Sequence, residues 1–204
     1  MLRRLLRELK GQETGGEFTF DIVVADNDDQ KSAREVVKEF AAESRMEISY
    51  CVETCQNIAM ARNCAVARAR GEFIALIDDD EFPSPTWLQL MLKVCKQYNA
   101  AGVLGPVRPH FELPPPRWII AGGFCERPDY STGRIMDWEE SRSGNLLFKG
   151  CLLDGTTEPF KPEFGNGGED KDFFMRMTTQ GHVFRWCSEA IVYETVPPAR
   201  WERG

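Results

Sequence analysis

The residues best suited to chemistry are Asp78, Asp79, Asp80 and Glu81, which follow the apolar run Phe73–Ile77 without a break. Carboxylates this close repel one another by roughly a few kcal/mol per pair at an effective dielectric near 20. A divalent cation reverses the sign of that repulsion. Asp78 and Asp80, one residue apart, can point the same way from an extended strand end and share one ion. Ligation by oxygen alone suits Mg2+ or Mn2+, which keep waters and take diphosphate oxygens as further ligands. The plainer alternative is a solvated acidic turn whose side chains cap nearby backbone groups.

A second feature is the glycine-rich turn from Gly165 to Gly168, which leads into Glu169, Asp170, Lys171 and Asp172. It places Glu169 and Asp170 at a helix start, where the dipole favours negative charge. There a carboxylate can serve as a general base toward a hydroxyl, or can simply be helix-start chemistry. Arg62, on a helix of small residues before the acidic strand, can hold a phosphate or a carboxylate, or can face solvent. Glu194 closes the strand-like segment Ala190–Glu194 and is either a further oxygen ligand or a strand-end carboxylate.

Alternating strands and helices position these groups. Leu2, Leu5, Leu6 and Leu9 give a helix with one apolar stripe. The stripe packs on a sheet, or, with Arg3, Arg4, Arg7 and Lys10 opposite, lies on an anionic membrane. Phe18–Ala25 reads as a buried strand, Ala33–Glu43 as a helix and Glu47–Val52 as a strand. Asn57–Arg70 reads as a helix closed by Gly71 in a left-handed cap. Phe73–Ile77 is a strand covered on both faces, and Ser84 and Pro85 open a helix that buries Trp87, Leu88, Met91 and Leu92. This is α/β logic, with sites at the carboxyl ends of parallel strands. Six of the twelve prolines fall between Pro106 and Pro128, so residues 106–150 form an irregular excursion, kept ordered by its aromatic residues. Beyond it come Asn145–Leu153, a helix over Glu169–Thr179 ending near Gly181, and strands at His182–Trp186 and Ala190–Glu194. No repeat or second domain shows, so 1–204 reads as one domain.

Composition excludes several classes. The 204 residues carry 25 Lys and Arg against 32 Asp and Glu, a net charge of −7, which argues against nucleic acid as a partner. No uncharged run exceeds 11 residues, well short of the ~20 that span a bilayer. The seven cysteines are scattered and form no CxxC, which reads as small buried hydrophobes in a reducing cytosol. Charges interrupt the apolar residues of Met1–Lys10, so no signal peptide forms.

Taken together, the segments Asp21–Asp28, Ala61–Asn63, Ala69–Ile74, Leu76–Asp80 with Pro83 and Trp87, Gly144–Leu147 and Gly168–Asp172 with Arg176 and Gly181 resemble glycosyltransferase family 2. The resemblance implies a GT-A fold: a mostly parallel central sheet flanked by helices, binding a nucleoside-diphosphate sugar. It implies that Asp26 sits near the nucleotide base and Arg62 near the base or diphosphate. Asp78 and Asp79 would lie on the donor, with Mn2+ or Mg2+ on Asp80, Asp78 and Glu194. Asp170 becomes the base of an inverting transfer, with Glu169 second in line. Trp118, Trp138 and Asn145 fall on the acceptor side, formed by residues 106–150. A glycan or lipid-linked acceptor, cell-surface polysaccharide or glycolipid assembly, and a cytoplasmic place with peripheral contact at the inner membrane face follow as expectations.

One departure is large. The family opens with an apolar central strand, whereas this sequence starts inside the helix that should follow, leaving two strands without a partner. A non-catalytic carbohydrate- or partner-binding module and a metal-dependent nucleotidyltransferase are the competing readings.

Overall fold

The computed structural model describes residues 1–44 and 46–201. Helix α1 (Leu2–Lys10) buries Leu5, Leu6 and Leu9, as its spacing requires. Two arginines of its basic face are engaged within the protein. Arg4 stacks over Phe82, 3.4 Å from the ring centroid, and Arg3 pairs with Glu39. The stripe therefore packs on the protein's own core. Strand β1 (Ile22–Asp26) runs parallel to β2 (Ile48–Val52), with α2 (Arg34–Ser44) between them in sequence. The strand expected from Phe18 starts only at Ile22. Glu17 N–H turns back to Thr14, and Phe18 and Phe20 reach the core from a loop.

Next come α3 (Ile58–Val66), β3 (Phe73–Ile77), β4 (Glu81–Pro83), α4 (Trp87–Gln97), β5 (Gly102–Leu104), β6 (Val107–His110) and α5 (Arg117–Gly122). The chain ends with β7 (Asn145–Lys149), α6 (Glu169–Thr179), β8 (Phe184–Trp186) and β9 (Val192–Thr195). Strands β3, β7, β5 and β8 form one sheet in that order, with β7 antiparallel to both neighbours and β5 parallel to β8. A smaller sheet orders β4, β9 and β6 and carries the acidic turn at its edge. No helix among the described residues is long and apolar enough to cross a membrane.

Two local expectations change. Helix α3 stops at Val66, and Gly71 is not left-handed. Gly71 is needed instead for close approach, since a Cβ there would stand 2.7 Å from the Phe73 carbonyl oxygen. Nor does Ser84 cap α4. Its hydroxyl is buried without a partner, while Gln12, from the loop after α1, accepts the Leu88 N–H at 3.2 Å and donates to the Ser84 carbonyl at 2.8 Å. A tie across 72 residues is invisible to local pattern.

Two apolar clusters hold the elements together. One joins α1 and α4 to the sheet. The other is a run of phenylalanines that seats α6, with Phe173 5.0 Å from Phe160 and 5.7 Å from Phe148, and Phe174 5.0 Å from Phe184. Among the described residues β1 pairs only with β2, and β3 only with β7. The free edges of β1 and β3 border one cavity of about 1250 Å3, also lined by Leu5, Leu6, Ala65 and Trp87. Amides of β7, bonded on both sides, should therefore outlast those of β1 in hydrogen exchange by orders of magnitude. Equal protection of the two strands would mean that the β1 edge is not open.

Candidate active site

Arg62 is the junction of the site. It projects from α3, whose first turn is capped by Asn57, with the Asn57 side-chain oxygen accepting the Met60 N–H at 3.1 Å. The Arg62 side chain is only 12% exposed. It ion-pairs with Glu169, itself 5% exposed, and reaches Asp78 Oδ1 at 3.3 Å. One arginine thus fastens the end of β3 to the start of α6. The helix start is fixed further by glycine chemistry. Gly167 and Gly168 have φ of +126° and +101°, which side-chain-bearing residues rarely adopt. Gly165 lies so close to the Asn57 amide that a Cβ would fall about 2.0 Å from it.

The acidic turn is crowded. Glu81 is buried and accepts the Asp78 N–H at 3.2 Å. Burial, and then the Asp78 charge, push its carboxyl up to about 9. Burial raises the Asp80 carboxyl too, followed by the charges of Glu194, Asp78 and Asp79. Thr195 N–H holds the Asp80 carbonyl at 2.9 Å, and Glu194 stands opposite Glu81 in the β4–β9 register. Asp79 is exposed, and its side chain makes no ion pair among the described residues.

Asp26, at the end of β1, is buried. One of its carboxylate oxygens accepts the Tyr50 hydroxyl at 2.6 Å and the Ala33 N–H at 3.0 Å. Asp26 and Asp78 both line the cavity between β1 and β3. Asp170 is half-buried and accepts its neighbour's backbone N–H at 2.7 Å. Among the described residues no cation pairs with it, unlike Glu169. The Lys171 ammonium donates to the carbonyls of Glu139 and Ser141, the latter at 2.9 Å, and so fastens the segment after Trp138 to α6.

The remaining expectations part company. Asn145, expected on the acceptor side, spends its amide within the protein. Its buried amide accepts the Trp87 indole N–H at 2.8 Å and donates to the carbonyls of Pro106 and Ala190. Trp118 lies on α5, 49% exposed, edge-on to Phe124. Trp138 is partly exposed beside the Lys171 tie. Glu194, expected on a metal, is held by Arg127 and Arg200. Those two arginines, Glu81 and Asn57 were missed as site residues. Only Glu81 carried a signal, its place in the acidic run.

Among the described residues no three His, Cys, Asp or Glu side chains converge to hold a metal unaided. The donor chemistry nevertheless fits a cation that also takes oxygens from a ligand. Asp80 is crowded by like charge, and Asp78 spends one oxygen on Arg62.

An α/β sheet with acids at its strand ends and a carboxylate-bearing helix facing them defines a GT-A-type fold. The chain belongs to glycosyl transferase family 2, whose profile matches residues 1–142. The succinoglycan biosynthesis protein ExoM of Rhizobium meliloti is 36% identical over 98% of this chain and 64% of its own length. TarS 1-349 of S. aureus in complex with UDP superposes with a TM-score of 0.71 at 19% identity, over 97% of this chain and 57% of that 1-349 chain. GalNAc-T7 with UDP, GalNAc and Mn2+ superposes at 0.66 and 12% identity, over 89% of this chain and 39% of its own. The chain thus spans less than two thirds of the relatives it matches.

Two outcomes follow. Arg62→Met leaves Glu169 buried and unpaired, so urea denaturation should show a loss of about 3–5 kcal/mol; under about 1 kcal/mol would remove Arg62 as the junction. Burial keeps Glu81 protonated at neutral pH, so its contribution is full below the unfolded pKa of 4.5 and is lost as pH rises toward about 9. With chelator present, Glu81→Gln should melt at least about 3 °C above wild type at pH 8 and lose that advantage near pH 4.5. Superimposable pH profiles would contradict the burial of this acid.

Proposed function

We propose that this chain is the donor-binding and catalytic region of an inverting glycosyltransferase, acting in cell-surface polysaccharide or glycolipid assembly. It moves a sugar from a nucleoside-diphosphate donor to an acceptor hydroxyl on a glycan or lipid-linked glycan. The observation that carries this reading is the Arg62 junction, which puts the acidic strand end and the start of α6 on one centre. Family membership and the ExoM likeness support transfer in polysaccharide synthesis. The nucleotide in TarS and the nucleotide with Mn2+ in GalNAc-T7 make UDP with Mn2+ the first probe.

The residues divide the work. Asp26 meets the nucleotide base, and Asp78 and Asp79 meet the ribose and sugar. Asp78 and Asp80 would hold Mn2+ or Mg2+, which, when bound, offsets charge on the diphosphate. Glu169 is occupied by Arg62, so Asp170 is the base. As the acceptor oxygen bonds to the anomeric carbon, its proton passes to Asp170, and the bond from that carbon to the diphosphate oxygen breaks on the opposite face. The tie from Lys171 to the segment after Trp138 keeps the acceptor side next to that base.

The open edge of β1 next to Asp26 favours a second reading, a carbohydrate- or partner-binding module without transfer. Calorimetry separates the two. UDP should bind wild type in Mn2+ and lose that dependence in Asp80→Ala, while Asp170→Asn keeps UDP binding and slows transfer about 10²–10⁴-fold. Binding of UDP that ignores both Mn2+ and Asp80 would remove the metal role, and unchanged turnover in Asp170→Asn would remove the base.

A further inference from the structure

Arg127, from the irregular stretch after α5, and Arg200, from the turn after β9, meet on the single carboxylate of Glu194, Arg200 at 2.7 Å. That carboxylate is 10% exposed, and each of its oxygens is taken by a different guanidinium. One negative charge with two positive ones leaves a net charge of +1 against the acidic turn. The place is fixed by the β4–β9 register, which sets Glu194 opposite Glu81, and by the Thr195 N–H on the Asp80 carbonyl.

Each guanidinium carries five N–H donors in a rigid fork. Arg127 and Arg200 each spend one nitrogen on Glu194, and their other nitrogens have no partner among the described residues. Arg62 differs, since it spends two nitrogens on two carboxylates. Arg127 and Arg200 are part-exposed, at 32% and 50% of their side chains, so their free donors are open to a ligand. Two planar forks aimed by a shared carboxylate beside a donor site suit a diphosphate, whose oxygens accept paired N–H bonds.

We propose that Glu194 is a positioning residue rather than a metal ligand, and that it aims Arg127 and Arg200 as a two-pronged clamp on the donor's diphosphate. This rests on the nucleotide-sugar reading above. As the bond from the anomeric carbon to the diphosphate oxygen breaks, its electron pair stays on the diphosphate, and the two arginines hydrogen-bond to the charge that develops there.

Titrations of UDP and of uridine into the full chain with Mn2+ test this. Arg127→Ala and Arg200→Ala should each weaken UDP about tenfold and leave uridine unchanged, with partial recovery in the lysine variants. Glu194→Gln should weaken UDP in the same direction and keep its response to Mn2+. Uridine binding doubles as a check that each variant is folded. Wild-type UDP affinity in both alanine variants would overturn the clamp, and loss of the Mn2+ response in Glu194→Gln would return Glu194 to the ion. A wild type that binds no UDP at all would overturn the nucleotide-sugar reading itself, and the clamp with it.

Discussion

Gathering Asp78, Asp79, Asp80, Glu81, Glu194 and Glu169 at one end of a sheet is electrostatically unfavourable, and the rest of the site is arranged around that cost. Three answers are visible. Arg62 takes Glu169 and Asp78, Arg127 and Arg200 take Glu194, and Glu81 is buried, which pushes its carboxyl up to about 9. Asp80 is left crowded and uncompensated, with Asp79 exposed beside it. That residue of uncancelled charge is what a divalent ion and its diphosphate would complete.

The same arrangement explains why Asp170, not Glu169, is the freer carboxylate. Adjacent acids at a helix start look alike in sequence. Packing separates them, because Glu169 faces inward onto Arg62 while Asp170 meets only the backbone N–H of its neighbour. The glycines at 165, 167 and 168 serve this separation. Gly165 lets the turn lie on the Asn57 amide, and the other two supply the backbone reversal that starts α6.

Much of this was legible in the sequence. Phe73–Ile77 and Glu169–Thr179 form with the expected bounds, because the first is a continuous apolar run and the second is closed by a left-handed Gly181. The acidic run, Arg62 and Glu169 stood out by residue type and order, but that Arg62 pairs with Asp78 and Glu169 did not. What escaped was long-range. Asn145 looked like an acceptor-side polar group, but a buried amide with three partners is architecture. Gln12 caps a helix 76 residues away, and Arg127 sits in a stretch without periodicity. Residue type and spacing carry no record of such ties, which exist only once the sheets are in place.

The central claim is that the strand-end acids and the start of α6 form one site around Arg62. A crystal structure with UDP and Mn2+ bound tests it most directly. It should place the ion on Asp78 and Asp80, with the diphosphate between them and α6 and the Arg62–Glu169 pair intact. Nucleotide seated away from Asp80, or an Arg62 that has left Glu169, would contradict it.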